Sequence, residues 1–321
     1  MFFQAMIPCV PAHNTTPQNI LVIKLSALGD FMLALGAMEA IRRHHKDAHI
    51  TLITTKLFVD MATRSGYFND VWVDARPRLF DLAGWWALRQ KLNSRRFDRV
   101  YDLQMNDRTR IYYHLMSHKP EWSGVIKGQS LCYSNPGWRQ MHAFERHKAV
   151  LKLAGIDVPL PDVSWMASDI SFFEPPKPYV LLVPGSAPQH PQKRWPALRY
   201  GALAHKLNLQ GYNVAVLGTK AEAEAIDRIK KTCPSIHDLS GRTSLYDVAA
   251  LARGAAAAIG NDTGPTHLVS LAGCPTVVLF SGASDPARSA PLGDVGIIQS
   301  DDLNDVQVSD VMGQLKLRNS A

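Results

Sequence analysis

Short apolar runs alternate with stretches of helical periodicity along the first half of the chain. Residues 19–24 contain Ile-Leu-Val-Ile, a run typical of a strand that is buried on both faces. Residues 31–44 then carry apolar side chains at helical spacing. The same criteria predict strands at 50–54, 71–73 and 99–103 and a helix at 79–92. This alternation predicts an α/β fold with a parallel sheet covered by helices on both faces.

The alternation stops at residues 171–178, where three prolines lie within four positions. Proline continues neither a helix nor a central strand, so this segment is predicted to be a linker. The alternation then resumes, with strands predicted at 179–183, 213–217, 236–238, 256–259 and 276–280 and helices at 195–210, 220–231, 245–252, 265–272 and 305–317. We therefore expect two doubly wound domains, residues 1–170 and 179–321, with a last helix that could pack back on the first.

Composition is that of a globular protein, with 46% hydrophobic and 20% charged residues among 321. No apolar run is long enough to cross a bilayer, and the first residues lack the basic and apolar regions of a secretion signal. The four cysteines form no close pair, which favours reduced thiols in a cytoplasmic protein over a zinc site or a disulfide framework. They are Cys9, Cys132, Cys233 and Cys274.

The net charge of +7 lies entirely in the first half of the chain. Residues 1–168 hold 21 basic and 14 acidic side chains, whereas residues 169–321 hold 14 of each. A basic half favours an anionic partner, such as a nucleic acid, an anionic lipid surface or a phosphorylated acceptor, although a solvated basic surface would look the same. Aromatic and basic residues are not interleaved as in nucleic-acid platforms, and no GxGxxG follows the first strand as in dinucleotide oxidoreductases.

Residues 260–268, Gly-Asn-Asp-Thr-Gly-Pro-Thr-His-Leu, link a predicted strand directly to a predicted helix. Such a helix start offers unpaired N–H groups and the positive end of the helix dipole, which together bind phosphate. Gly264 allows close approach of a ligand, and hydroxyl and ring donors come from Thr263, Thr266 and His267. Asp262 would repel phosphate, so we expect it to accept hydrogen bonds from a sugar. The alternative is an N-capped helix without a ligand.

Three motifs, in this order, resemble those of glycosyltransferase family 9, the bacterial heptosyltransferases. They are Lys24-Leu-Ser-Ala-Leu-Gly-Asp30, Gln192-Lys-Arg-Trp-Pro196 and Gly260-Asn-Asp-Thr-Gly-Pro-Thr-His267. The resemblance extends over roughly residues 19–295 and implies a GT-B fold, in which two Rossmann-like domains face each other across a cleft. It further implies an ADP-heptose donor in the C-terminal domain, and the anionic, Kdo-bearing inner core of lipopolysaccharide as acceptor in the N-terminal domain. Transfer would invert the anomeric carbon without a metal or other cofactor.

The resemblance places the catalytic base on Asp30, which would deprotonate the attacking hydroxyl. The alternative role for Asp30 is the N-cap of a helix that begins at Phe31. Lys193 is expected to bind the donor diphosphate and to stabilise the leaving group, with Arg194 as the competing candidate. Trp195 is expected to pack in the interior.

The remaining predicted site residues divide between donor and acceptor. The donor set, besides Lys193, is Gly185, Ser186, Glu222, Thr243, Leu245, Asp262, Thr263, Gly264, Thr266 and His267. Glu224 is the alternative to Glu222 for the ribose, and Thr243 and Leu245 are expected in an adenine pocket. The acceptor set is Arg76, Arg78, Arg108 and Arg110, of which the last two are favoured because they follow a strand.

Leu79-Phe80 and Trp85-Trp86 are either an apolar surface that touches the inner membrane or part of the core. The sequence thus predicts an inverting heptosyltransferase that is cytoplasmic, or peripheral at the inner face of the inner membrane, and that binds no nucleic acid. The alternatives are a family member with another nucleotide sugar or acceptor, and a non-catalytic protein that binds a sugar nucleotide.

Overall fold

The computed structural model describes residues 17–318, which form two compact α/β units. The first unit contains residues 17–27 and Ala34–Pro161, and the second contains Leu28–Leu33 and residues 162–318. The short segment Leu28–Leu33 therefore belongs with the second unit, although the chain on both sides of it belongs to the first. Cys9 lies outside the described residues.

The first unit is built on a six-stranded parallel sheet with the order β3-β2-β1-β4-β5-β6. Its strands are β1 (Asn19–Ile23), β2 (His49–Thr54), β3 (Asp70–Val73), β4 (Arg99–Asp102), β5 (Glu121–Gly124) and β6 (Leu131–Cys132). The strand order reverses between β1 and β4, and ligands of doubly wound sheets bind beyond the carboxyl ends of strands at such a point. The sequence did not reveal β5 and β6.

Five helices accompany this sheet: α1 (Leu28–His44), α2 (Val59–Arg64), α3 (Leu82–Asn93), α4 (Asp107–Leu115) and α5 (Ala143–Lys152). Buried side chains from β1, β4, α3 and α4 form one core cluster that includes Leu21, Val100 and Leu88. α1 begins three residues earlier than its apolar periodicity indicates. Asp30 therefore lies inside the first turn of α1, and the prediction that it could cap a helix starting at Phe31 is wrong.

The second unit repeats this architecture, with the strand order β12-β11-β10-β7-β8-β9 in a second parallel sheet. Its strands are β7 (Tyr179–Val183), β8 (Asn213–Val216), β9 (His237–Asp238), β10 (Ala257–Asn261), β11 (Thr276–Ser281) and β12 (Val295–Ser300). The order reverses between β7 and β10, as it does between β1 and β4. Two doubly wound parallel sheets confirm the predicted fold class, whereas the predicted boundaries 171–178 stay a prediction.

The helices of the second unit are α6 (Ala197–Leu209), α7 (Ala223–Thr232), α8 (Leu245–Gly254), α9 (Gly264–Leu271), α10 (Pro286–Ser289) and α11 (Val308–Gln314). The last helix, α11, packs in the core of the second unit, where Val311 is fully buried beside residues of β11 and α6. This differs from the expectation that it could pack back on the first domain. Its apolar side chains find their partners within its own unit.

Candidate functional site

The loops after β7 and β10 meet at the switch point of the second sheet, and Asn261 joins them. This side chain is fully buried, and its Nδ2 donates to the Pro184 carbonyl oxygen at 2.7 Å. Its Oδ1 accepts from the Trp195 amide and from the Tyr200 hydroxyl, both at 3.1 Å. Asn261 thus fixes the loop at Pro184 and the segment that carries Lys193. The sequence analysis did not identify this role, for which the only signal was an amide side chain at the end of a buried strand.

Lys193 and Asp262 form an ion pair in this loop cluster. The Lys193 Nζ lies 2.8 Å from Asp262 Oδ2, and the Asp262 side chain is only 8% exposed. The Nε2 atom of His267 lies 3.7 Å from the other carboxylate oxygen, Oδ1. Burial alone would raise the pKa of Asp262, but His267 and Lys193 outweigh it and lower the pKa to about 2. The carboxylate is therefore ionised at neutral pH, with an ammonium group beside it that remains 19% exposed.

Helix α9 begins at the carboxyl end of β10 without a side-chain cap. Thr263 is the N-cap residue in extended conformation, yet its hydroxyl makes no capping hydrogen bond. Pro265 has no N–H, and the amides of Thr266 and His267 donate to the Thr263 carbonyl oxygen at 3.0 and 3.3 Å, so the Gly264 amide and the positive end of the helix dipole are what the start of α9 offers to an anion. The Thr266 hydroxyl instead donates to the Asn261 carbonyl oxygen at 2.8 Å, which ties the helix to the strand. The side-chain cap that the alternative of a capped helix would supply is absent at Thr263.

His267 is almost entirely buried, and its Nδ1 has no hydrogen-bond partner among residues 17–318. A buried polar atom without a partner is costly, so such atoms mark places where a ligand or water completes the bonding. The ring packs against the first turn of α1 inside the second unit. A Cβ atom on Gly29 would lie 2.9 Å from His267 Nε2, and one on Gly264 would lie 2.5 Å from Leu28 Cβ. Only glycine allows these approaches, which bring the turn that carries Asp30 to the loop after β10.

The loops after β8 and β9 lie on the other side of Gly185. A Cβ atom on Gly185 would lie 3.2 Å from Glu222 Oε1, so the Glu222 carboxylate reaches the loop after β7. The other oxygen, Oε2, accepts from the Thr219 amide and hydroxyl at 2.8 and 2.7 Å. Glu224 is exposed and pairs with Arg228 on α7. Of the two candidates for the ribose, the geometry favours Glu222.

The segment that carries Thr243 and Leu245 is attached to the same loop. The Gly241 amide donates to the Gly218 carbonyl oxygen at 2.8 Å. Thr243 and Leu245 are both half-buried, and Leu245 is the first residue of α8. The predicted ribose and adenine residues are therefore neighbours along one edge of the sheet.

Arg194 and Ser186 bond to each other and to the backbone. The Arg194 Nε donates to the Ser186 hydroxyl at 3.0 Å, and the Ser186 hydroxyl donates to the His190 carbonyl oxygen at 2.9 Å. A second guanidinium nitrogen of Arg194 donates to the Ser186 carbonyl oxygen at 3.1 Å. These bonds hold the loop in shape. Lys193, whose charge faces Asp262, is therefore the stronger candidate for contact with a diphosphate.

In the first unit the loops after β1 and β4 are joined in a similar way. The Gln104 Oε1 accepts from the amides of Leu25 and Ser26 at 2.9 and 3.2 Å, immediately before the turn that leads to Asp30. Asp102 is 1% exposed and accepts from the Thr109 hydroxyl at 2.7 Å and from the Gln104 amide at 3.1 Å. Burial raises the pKa of Asp102 to about 6. Sequence reasoning mentioned Gln104 only as part of a loop and did not identify Asp102.

The four arginines predicted to bind an acceptor have different environments. Arg108 donates to the Pro77 carbonyl oxygen at 2.9 Å, and its guanidinium carbon lies 5.2 Å from the centre of the Trp85 ring. It thereby ties the loop that carries Arg76 and Arg78, both of which are exposed. Arg110 is also exposed and lies 3.5 Å from Asp107. Three of the four guanidinium groups are thus accessible to an anionic ligand, and the fourth holds two of them in place.

No metal centre or membrane span is evident in the part of the chain that the structure describes. Residues 17–318 contain no group of three or more His, Cys, Asp or Glu side chains that could hold a metal ion. None of their helices combines the length and the apolar character needed to cross a bilayer. Cys132, Cys233 and Cys274 form no disulfide with one another.

Comparisons with known proteins agree with this geometry. The model of glycosyltransferase family 9 (heptosyltransferase) matches residues 85–311. The chain is 25% identical over 302 residues to lipopolysaccharide heptosyltransferase 2 of Salmonella typhimurium, and the match covers 85% of each chain. Among solved structures, E. coli ADP-heptose lps heptosyltransferase II superposes with a TM-score of 0.73 at 22% identity, covering 92% of this chain and 97% of that chain. E. coli heptosyltransferase WaaC with ADP gives 0.72 at 19% identity, covering 92% and 98%. These structural likenesses confirm the GT-B fold.

Proposed function

Because the chain belongs to glycosyltransferase family 9 and is a glycosyltransferase, we propose that it transfers heptose from ADP-heptose to the Kdo and heptose region of the lipopolysaccharide inner core. Transfer inverts the anomeric carbon and needs no metal. Its similarity to lipopolysaccharide heptosyltransferase 2 supports heptose and lipopolysaccharide, and its likeness to an ADP-heptose heptosyltransferase and to a heptosyltransferase bound to ADP supports an ADP moiety. The enzyme acts in the cytoplasm, where nucleotide sugars are made.

The Lys193–Asp262 pair beside the start of α9 is the observation that carries this proposal. A diphosphate placed at that helix start meets the Gly264 amide, the Thr263 hydroxyl and the Lys193 ammonium. These donors supply positive charge without a metal ion. Asp262, which remains ionised, accepts hydrogen bonds from the heptose hydroxyls. Glu222 binds the ribose, while Thr243 and Leu245 border the adenine.

The chemical step joins an acceptor oxygen to the anomeric carbon as the bond from that carbon to the phosphate oxygen breaks. Asp30 takes the proton of the attacking hydroxyl, and ADP leaves with the bonding electron pair. Lys193 and the first turn of α9 stabilise the charge that develops on the diphosphate. The exposed Arg76, Arg78 and Arg110 bind the carboxylates and phosphates of the acceptor.

Calorimetric titration of the full-length protein with ADP, GDP, UDP and TDP tests the donor assignment. We expect binding to ADP in preference to the other three, and at least tenfold weaker ADP binding by the Thr263→Ala/Lys193→Ala double variant. Lys206→Ala, which removes an exposed lysine of α6, is the matched control and keeps the wild-type affinity.

An assay of heptose transfer to a delipidated inner-core oligosaccharide tests the reaction itself. Release of ADP that depends on this acceptor, with formation of the opposite anomer, supports the proposal. A preference for UDP or GDP overturns the donor assignment. Binding of ADP without acceptor-dependent release of ADP from the donor overturns the assignment of the acceptor.

A further inference from the structure

The segment that precedes and begins α3 exposes four large apolar side chains to solvent. Leu79 is 74% exposed, Phe80 89%, Leu82 79% and Trp86 64%. Leu82 and Trp86 are four residues apart on one face of α3, and Leu79 and Phe80 immediately precede the helix. We call these four side chains the apolar ridge. Soluble proteins seldom expose large apolar side chains in such a group unless the group meets a partner or a membrane.

The apolar ridge is held in its exposed position by its neighbours. Asp81 caps α3 by accepting from the Gly84 amide at 2.8 Å, and the Trp85 indole donates to the Arg78 carbonyl oxygen at 2.9 Å. Arg108 fixes the same loop from α4 through its bond to Pro77. Trp85 packs against the core cluster of the first unit, whereas the adjacent Trp86 lies outside that cluster and is exposed. The same position of α3 thus packs Trp85 against the core and leaves Trp86 exposed.

The charges around the apolar ridge are almost all positive. Residues 75–96 contain six basic side chains and one acid, Asp81, whose carboxylate is engaged in the helix cap. Arg76, Arg78 and Arg89 are exposed close to the ridge in sequence. Apolar side chains that penetrate a bilayer and basic side chains beside them are the combination that binds anionic membranes. An acidic protein partner would match the charges, but it would not need four aliphatic and aromatic side chains at a helix start.

We propose that the apolar ridge and its surrounding arginines form a docking surface for an anionic phospholipid bilayer. Leu79, Phe80, Leu82 and Trp86 insert at the level of the headgroups. Arg89, three residues after Trp86 on α3, contacts lipid phosphates. Docking places the acceptor-binding arginines Arg76 and Arg78 next to the membrane. This surface does not depend on the transfer reaction, since lipid binding and transfer to a delipidated acceptor are measured separately.

Co-sedimentation with vesicles tests this surface. We expect the full chain to bind vesicles made of equal parts of phosphatidylglycerol and phosphatidylcholine, and to bind pure phosphatidylcholine about tenfold or more weakly. Raising the salt concentration should weaken the first interaction. The Phe80→Ser/Trp86→Ser double variant should lose at least about tenfold in affinity for the mixed vesicles. Its transfer to a delipidated acceptor should stay within about twofold of wild type, because neither side chain is among the proposed site residues.

Phe172→Ser is the matched control. Phe172 is 87% exposed in the second unit, nearly as much as Phe80, but Asp169 and Glu174 lie close to it in sequence. This variant should bind vesicles as wild type does. Equal losses of vesicle affinity in Phe172→Ser and in Phe80→Ser/Trp86→Ser would overturn the proposal. Absence of wild-type binding to the anionic vesicles would overturn it as well. Binding to an acylated acceptor in detergent without binding to vesicles would also overturn it, because the ridge would then recognise the acceptor's own acyl chains.

Discussion

Asp102 and Asp262 lie at the carboxyl ends of corresponding strands in the two sheets, yet the pKa shifts in opposite directions in the two carboxyl groups. Asp102 ends β4, which lies beside β1, and Asp262 follows β10, which lies beside β7. Burial raises the pKa of Asp102 to about 6, and the Thr109 hydroxyl, two backbone amides and, least of these, the charge of buried Lys24 only limit the rise. Burial acts in the same sense on Asp262, but His267 and Lys193 lower its pKa to about 2.

The difference lies in the partners. Asp102 bonds to groups that belong to its own loop and cannot leave it, so its role is to shape that loop. Asp262 bonds to a lysine side chain that is partly exposed and can turn to a phosphate. The ends of corresponding strands in two similar sheets thus hold one carboxylate that builds the site and one that we propose takes part in binding. Substitutions at these positions and at the residues they support should separate the two roles.

The largest effect is expected at Asp30. The Gln104 side chain accepts from the Leu25 amide, five residues before Asp30, and the backbone amide of Gln104 donates in turn to Asp102. Asp30→Asn should lower kcat by about 100- to 10,000-fold, because the proposed general base is lost. Neither the ADP affinity nor the thermal midpoint should change by much. Steady-state kinetics of transfer, together with calorimetric ADP titration, measure both quantities. Asp47→Asn, at an exposed aspartate of the first unit, should leave kcat unchanged; a kcat within tenfold of wild type for Asp30→Asn would contradict the assignment.

Lys193→Met should affect both activity and stability. Loss of the ammonium beside the leaving diphosphate should lower kcat by about 100- to 1,000-fold. The depressed pKa of Asp262 stabilises the fold by about 2 kcal/mol at pH 7, a contribution that is present above pH 4 and lost as pH falls toward 2. Because His267 also lowers this pKa and remains in the variant, Lys193→Met should lose part of this unfolding free energy in a urea titration at pH 7.

The double variant Lys193→Met/Asp262→Asn separates these effects. Removing the buried charge as well should restore part of the unfolding free energy and none of the activity. Equal and additive losses of stability for the two substitutions would show that the pair is not coupled, and would remove the contrast between Asp262 and Asp102.

Asp102 should show the opposite pH dependence. Its pKa of about 6 in the folded chain lies above the ordinary value of 3.8, so the folded state binds this proton more tightly than the unfolded state. The resulting stabilisation is complete below pH 4 and is lost as pH rises through 6, a change of about 3 kcal/mol. Urea titrations at pH 4 and pH 8 measure it as the difference between wild type and Asp102→Asn. If wild type and Asp102→Asn differ in unfolding free energy by the same amount at both pH values, the raised pKa of Asp102 is contradicted.

Local sequence patterns predicted most of the framework of the site. Apolar runs located β1, β7 and β10, and the polar residues that follow them include Asp30, Ser186 and Asp262. These patterns work because a parallel strand is buried along its whole length and its loop is not. The predicted burial of Trp195 is confirmed.

The contacts that shape the loops could not be predicted in this way. Asn261 bonds to Pro184, 77 residues away, and Gln104 bonds to Leu25, 79 residues away. Such bonds depend on which strands become neighbours, and this information is absent from local periodicity. The early start of α1 has a similar origin, because Leu28 and Gly29 pack against Gly264 and His267. Tertiary packing thus extended the helix beyond its apolar pattern and moved Asp30 into its first turn.

The smallest effect is expected at Glu222. This carboxylate could shape its loop, as Asp102 does, or bind a ligand, as we propose for Asp262. Both of its hydrogen bonds to Thr219 use Oε2, and Oε1 reaches Gly185. Glu222→Gln keeps an oxygen that can accept from Thr219 but removes the charge offered to a ribose hydroxyl. We expect about fivefold weaker ADP binding with little change in stability. Glu224→Gln, two residues away and paired with Arg228, should bind ADP as wild type does. If Glu222→Gln instead lowers stability and leaves ADP binding intact, then Glu222 belongs with Asp102 among the residues that build the loops, and the ribose must find its partner elsewhere.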